Sequence, residues 1–157
     1  MNIKLIAVGK TDGKELNTLT DRYIKRLGFY VNFNFEIIPD IKNAKNLSET
    51  QQKDKEGELI LKKIAPTDLL VLLDENGKTF SSEGFASHLQ KYMNAGVKQL
   101  VFVIGGPYGF SDSVYQKAQG KISLSKMTFS HQMIRLFFIE QLYRGFTILR
   151  NEPYHHR

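Results

Sequence analysis

Cysteine is absent from this chain of 157 residues. Disulfides, thiolate metal sites, thiol nucleophiles and iron–sulfur ligands are therefore excluded, and nothing points to an oxidising compartment. Long apolar runs are missing as well. The opening stretch Ile3 to Val8 is too short for a signal peptide, and no segment approaches the roughly 18 apolar residues of a membrane span. A soluble, cytoplasmic protein without a membrane partner is the expectation. No repeat, low-complexity run or linker divides the chain, so residues 1–157 read as a single domain, a size at which roughly 70% of the unfolded surface can be buried.

Hydrophobic residues make up 41%, charged residues 24% and aromatics 11%, the balance of an ordinary globular protein. The net charge is +6, compatible with a polyanionic partner. Its distribution is uneven. Residues 121–157 hold six basic residues (Lys121, Lys126, Arg135, Arg144, Arg150, Arg157) and two acidic ones (Glu140, Glu152), an excess of +4. Three of the four histidines, His131, His155 and His156, lie there too. An anion-binding surface is expected in that quarter.

Strand and helix signals alternate throughout. Ile3 to Val8 reads as a buried strand, and Leu16, Leu19, Tyr23, Ile24 and Leu27 recur at helical spacing up to Gly28. Asn32 to Ile38 alternates polar and apolar residues as a half-buried strand does. Ser48 with Gln51 forms a capping-box start for a helix through about Ile64. Leu69 to Leu73 is a second buried strand, Ser82 to Ala95 a helix, and Leu100 to Ile104 a third buried strand. Buried strands joined by helices imply parallel pairing in a sheet covered on both faces. Ser111 is placed to cap a short helix to about Gly120, Ile122 to Leu124 is a last strand, and Ser130 to Arg150 a closing helix of roughly 30 Å. The fold class is α/β, with a mostly parallel sheet, and ligands in such sheets sit beyond the carboxyl ends of the strands.

Two loops follow strand ends. Gly105-Gly106-Pro107-Tyr108-Gly109 lets a ligand approach the backbone closely, although a plain tight turn explains the same glycines. Leu124-Ser125-Lys126-Met127-Thr128-Phe129 combines hydroxyls with apolar side chains, which suits an uncharged ring held by backbone contacts. Gly9-Lys10-Thr11 lacks the preceding glycine of a phosphate-binding P-loop, and the dinucleotide fingerprint fails in the same place. Glu140 and Arg144 have the spacing of a helix-surface ion pair. His131 fits a capping or core histidine, and Phe137, Phe138 and Tyr143 fit the core. The tail Tyr154-His155-His156-Arg157 offers stacking, proton transfer and phosphate binding, and reads equally as a frayed terminus. Spacing identifies no metal-ligand cluster, catalytic triad or paired-carboxylate site.

Taken in order, Ile6-Ala7-Val8-Gly9-Lys10, Asp54-Lys55-Glu56-Gly57, Leu72-Leu73-Asp74, Val103 to Gly109, Leu124 to His131, Glu140-Gln141-Leu142-Tyr143-Arg144 and Pro153-Tyr154-His155 resemble the RlmH type of SPOUT methyltransferase. The resemblance covers essentially the whole chain. Ser130 departs from it, standing where that family has proline, and so does the doubled His155-His156.

The resemblance implies a defined chemistry. A methyl group passes from S-adenosyl-L-methionine to N3 of a pseudouridine in a hairpin of large-subunit (23S) ribosomal RNA, on assembled ribosomes and without a metal. It implies a C-terminal trefoil knot and a homodimer. Leu73, Gly105, Gly106 and the loop Leu124, Ser125, Lys126, Met127, Thr128 and Phe129 would surround the cofactor. Arg144 would contact phosphate or base, Tyr154 would stack, and His155 or His131 would accept the proton. With only 157 residues, RNA recognition would fall to the catalytic domain itself, in a site composed from two subunits. Two other readings remain. A non-catalytic ribosome-associated RNA-binding protein explains the basic quarter, and an α/β enzyme acting on a small phosphorylated metabolite explains the glycine loop.

Overall fold

A computed structural model describes residues 1–156. Its centre is a sheet of five parallel strands. In chain order these are β1 (Asn2–Val8), β2 (Asn32–Ile38), β3 (Leu69–Thr79), β4 (Gln99–Ile104) and β5 (Gly120–Ser123), arranged across the sheet as β2-β1-β4-β3-β5. The helices are α1 (Lys14–Leu27), α2 (Glu49–Leu61), α3 (Ser82–Asn94), α4 (Asp112–Lys117) and α5 (Met133–Leu149).

Alternation along the strands divides the core in two. Ile3, Leu5 and Ala7 of β1, with Leu100, Phe102 and Ile104 of β4, point to the face covered by α1, α3 and α5. Ile6 and Val8, with Val101 and Val103, point to the face covered by α2 and α4. A strand buried on both faces has no polar side to show, which is why β1, β3 and β4 appear as apolar runs. The edge strand β2 is covered less and keeps its alternation.

Several elements differ from the sequence expectation. The strand expected to end at Leu73 continues to Thr79 through Asp74-Glu75-Asn76-Gly77. Its pairing with β5 shifts between Leu73 and Lys78, and a Cβ at Gly77 would sit 2.6 Å from the Ile122 nitrogen, so this close crossing needs glycine. Helix α2 carries the complete Ser48–Gln51 capping box but ends at Leu61 rather than near Ile64. The last helix begins at Met133 rather than at Ser130, whose hydroxyl accepts the Met133 N–H at 3.1 Å. Ser111 occupies the position before α4 without making a cap hydrogen bond, and β5 ends at Ser123.

Arg135 corrects the charge reading most directly. It belongs to the basic C-terminal quarter, yet it is only 1% exposed. Its guanidinium donates to the carbonyls of Val8 (2.8 Å) and Gly9 (2.8 Å) and to the Thr11 hydroxyl (3.0 Å), tying α5 to the carboxyl end of β1. Burial lowers its proton affinity, and the fields of Asp40 and Asp12 oppose that effect. Arg135→Leu strands both carbonyls in the core, and the expected loss is about 3 kcal/mol of stability in chemical denaturation. A loss below about 1 kcal/mol would show that other donors serve them.

Candidate functional site

Parallel pairing brings the carboxyl ends of β3, β4 and β5 to one edge of the sheet, and the larger cavity opens there. Its volume is about 480 Å³, within the range of small-molecule sites. Leu73 and Asp74 at the end of the apolar part of β3, Gly105 and Gly106 after β4, and Leu124 to Phe129 after β5 all line it. Three segments separated by up to fifty residues of sequence thus converge on one space. His131 lines it as well, exposed rather than buried in the core, so the cap at this helix start is Ser130 instead.

The glycine loop makes a closed turn, with the Gly109 N–H donating to the Gly106 carbonyl at 3.2 Å. Gly105 and Gly106 are both buried. A Cβ at Gly105 would lie 3.1 Å from the Phe110 ring, and at Gly106 it would run into the Glu56 carboxyl group. Packing behind the loop thus leaves a Cβ at Gly105 tight against Phe110, and one at Gly106 would have to displace the Glu56 carboxyl group. The 124–129 loop is braced by its own hydroxyls: Ser123 Oγ donates to the Ser125 carbonyl (2.9 Å), and Ser125 Oγ accepts the Met127 N–H (2.9 Å). Lys126 and Thr128 are exposed, and Met127, 77% exposed, stands at the rim.

Some lining residues carried no functional signal in the sequence. Tyr115 of α4 donates its hydroxyl to Asp74, and burial together with that bond raises its pKa to about 12. Asp74 also accepts the Asn76 N–H at 2.8 Å. The one available signal was a carboxylate ending an apolar strand.

Arg144, Tyr154 and His155 do not line this cavity; they gather around Glu140 instead. Arg144 donates to Glu140 Oε1 through Nη2 (2.6 Å) and Nε (3.1 Å), and Tyr154 donates to the same oxygen (3.0 Å). Arg144 also lies 4.7 Å from the centre of the Tyr154 ring and donates to His155 Nδ1 at 3.3 Å. The expected helix-surface pair is therefore the hub that docks the tail, and the tail is held rather than frayed. Tyr154 packs on Tyr143, which in turn meets Tyr23 and Tyr30. Tyr143 is thus half-buried in a tyrosine cluster, Phe138 alone of the three expected aromatics is fully core, and Phe137 is 38% exposed beside Phe129. His156 is exposed, and Arg157 lies outside the described residues.

A second cavity of about 310 Å³ joins the two groups. It shares Ile122, Ser123, Leu124 and Phe129 with the first and reaches Glu140 and Gln141 on its other side. Among the described residues no cluster of three or more histidine, aspartate or glutamate side chains could hold a metal, and no helix is long and apolar enough to cross a membrane.

A ligand-sized cavity formed by strand-end loops of a parallel sheet defines an α/β ligand-binding domain. Comparison with known proteins makes this specific. The family model described as "Predicted SPOUT methyltransferase" matches residues 1–155, and the chain belongs to that family. Among curated relatives, the "Ribosomal RNA large subunit methyltransferase H" of Flavobacterium johnsoniae is 77% identical over all 157 residues of both chains. The protein of the same name from Christiangramia forsetii is 67% identical over the same span. Among solved structures, a probable methylase family protein from Haemophilus influenzae superposes with a TM-score of 0.57 at 13% identity, covering 99% of this chain and 71% of that one, a likeness of fold.

The tyrosines give a test of the tail's docking. Hydrogen bonding to Glu152, then burial, raises Tyr30 to about 12. Burial, then bonds to Tyr23 and Glu140, raises Tyr154, and burial raises Tyr92. With Tyr115, four of the seven tyrosines should keep their protons in the native protein as pH passes the ordinary value of about 10. The unfolded chain loses those protons first, so stability is full below pH ~10 and falls as pH rises towards about 12. Ultraviolet titration in buffer and in denaturant checks this; equal numbers of phenolates at pH ~10.5 would contradict it.

Proposed function

We propose that this protein is an S-adenosylmethionine-dependent methyltransferase of large-subunit ribosomal RNA, acting at N3 of a pseudouridine on assembled ribosomes. The observation that carries this reading is the convergence of Leu73, Gly105 and the 124–129 loop on one cavity, in a chain matched over its full length by relatives named as methyltransferases of that RNA. The reading includes a trefoil-knotted C-terminal half and a homodimer in which one subunit's cofactor loops face its partner's tail.

The cavity fits the cofactor in size, and Gly105 and Gly106 are part of its lining. When bound, S-adenosylmethionine supplies a methyl group already activated by the sulfonium charge. Backbone N–H and C=O groups of 105–109 and 124–129 would hold the adenine, with Leu73, Leu124 and Phe129 as the apolar walls. What remains for the protein is in-line positioning of the target nitrogen and removal of its proton.

Arg144 donates to His155 Nδ1. To accept a proton at Nδ1, His155 has to leave Arg144. Docking of the target base is therefore coupled to opening of this contact, which frees Arg144 Nη1 for RNA. A non-catalytic RNA-binding role would leave the glycine-lined cavity without a use.

Incubation with labelled S-adenosylmethionine and ribosomes from cells lacking the enzyme should place label on one pseudouridine; no transfer would overturn the proposal. His155→Ala should slow transfer by about 10²-fold or more, as loss of a general base does, and a wild-type rate would refute the assignment. Gly105→Val should abolish cofactor binding in calorimetry while the protein stays folded. Unchanged affinity would remove Gly105 from the site.

A further inference from the structure

Glu56 occupies a costly position. Glutamate is almost never fully buried without a partner, yet Glu56 is 3% exposed, between the solvent-facing Asp54 and Lys55 and the buried Gly57. Among the described residues no lysine or arginine forms an ion pair with it, and its carboxylate accepts a hydrogen bond from Gln52 Nε2 at 3.0 Å. Desolvation raises its pKa, and Asp40 adds to the effect; the Gln52 bond and the field of His131 oppose it. Such a group weakens the fold unless it serves another purpose.

Its placement shows the purpose. The three atoms nearest to a Cβ built on Gly106 are the carboxyl atoms of Glu56, with Cδ at 2.7 Å. The carboxyl group therefore fills the place a side chain at 106 would take, directly against the backbone of the cavity's glycine loop. The carbonyl of Gly106 closes the turn by accepting the Gly109 N–H, so whatever fixes Gly106 fixes the turn. The next residue, Gly57, extends the grip: a Cβ there would lie 3.2 Å from Ser111 Cβ and 3.2 Å from Val114 Cγ2, at the far end of the same loop. Helix α2 thus presses on both ends of the segment 106–111.

We infer that Glu56 is a positioning residue for the cofactor: its carboxyl group, wedged against Gly106, holds the 105–109 turn in the form that receives S-adenosylmethionine. This rests on the reading of the cavity given under the proposed function. Glu56 touches no reacting atom. It acts through the loop, and its shape matters more than its charge.

Calorimetric titration of S-adenosylmethionine into six proteins tests this: wild type, Glu56→Gln, Glu56→Asp, Glu56→Ala, Gly106→Ala and the double variant Gly106→Ala/Glu56→Ala. Glu56→Gln keeps the shape and should bind within about threefold of wild type, whereas Glu56→Asp and Gly106→Ala should each lose about tenfold or more. The double variant should bind more tightly than Gly106→Ala alone, because the new methyl group enters the space the carboxyl vacates. Wild-type affinity in Glu56→Asp, or additive losses in the double variant, would overturn the inference. Hydrogen exchange at the Gly109 amide, measured without cofactor, should be faster in Glu56→Asp than in wild type, and unchanged exchange would also overturn it. That readout separates the two ideas: a wild-type protein that binds no S-adenosylmethionine refutes the reading of the cavity, while the exchange rates still decide whether Glu56 holds the turn.

Discussion

The buried guanidinium of Arg135 is the constraint on which the arrangement of the site depends. It joins the first strand to the last helix, residues more than 120 apart in sequence, through the carbonyls of Val8 and Gly9. Gln132 reinforces the junction, accepting the Asp12 N–H at 2.7 Å and donating to the Lys10 carbonyl at 3.0 Å. Lysine could not replace Arg135 here, because one ammonium cannot present a planar fork to two carbonyls and a hydroxyl. With the start of α5 fixed over β1, the 124–131 segment has to span from the end of β5 to that point, and in doing so it walls the cavity. The far end of the helix then falls beside α1, where Tyr23 and Tyr30 receive the tail.

From that junction two consequences follow for the chemistry. Two of the three segments around the larger cavity extend β3 and β4, which are buried on both faces of the sheet, and the third follows the edge strand β5. Rigid strand ends hold a ligand's contacts in place without costing order at the moment of binding. The tail is held differently, by side-chain hydrogen bonds and ring contacts at a partly exposed surface. Such contacts open more readily than a packed sheet. Rigid loops on one side and a releasable tail on the other suit a site that holds one substrate steadily and has to admit a large second one.

The parts of this architecture legible in the sequence are those governed by apolar burial. Three apolar runs became the buried strands, the alternation of 32–38 became an edge strand, and Ser48 with Gln51 marked a helix start. The two loops singled out for their composition meet at one cavity. What escaped was charge in unusual surroundings. Arg135 and Glu56 look like surface residues because charged side chains generally are, and only tertiary placement reveals a strand end that needs donors and a loop that needs a wedge. The extension of β3 to Thr79 was hidden for a related reason. Its polar residues Asp74 to Lys78 carry no strand periodicity, and the pairing is imposed by β5 crossing over Gly77.

Charge counting also overstated the anion-binding capacity of the C-terminal quarter. Arg135 is buried in the fold, Arg144 is engaged with Glu140 and His155, and Arg150 lies 4.5 Å over the Tyr30 ring. Lys121 is 5.5 Å from the Tyr115 ring, and among the described residues of this quarter Lys126 is the cation without such a contact, exposed where it lines the cavity. Lys121 and Arg150 stay exposed despite these ring contacts, so it is the buried Arg135 and the paired Arg144 that reduce what this quarter can offer an anion.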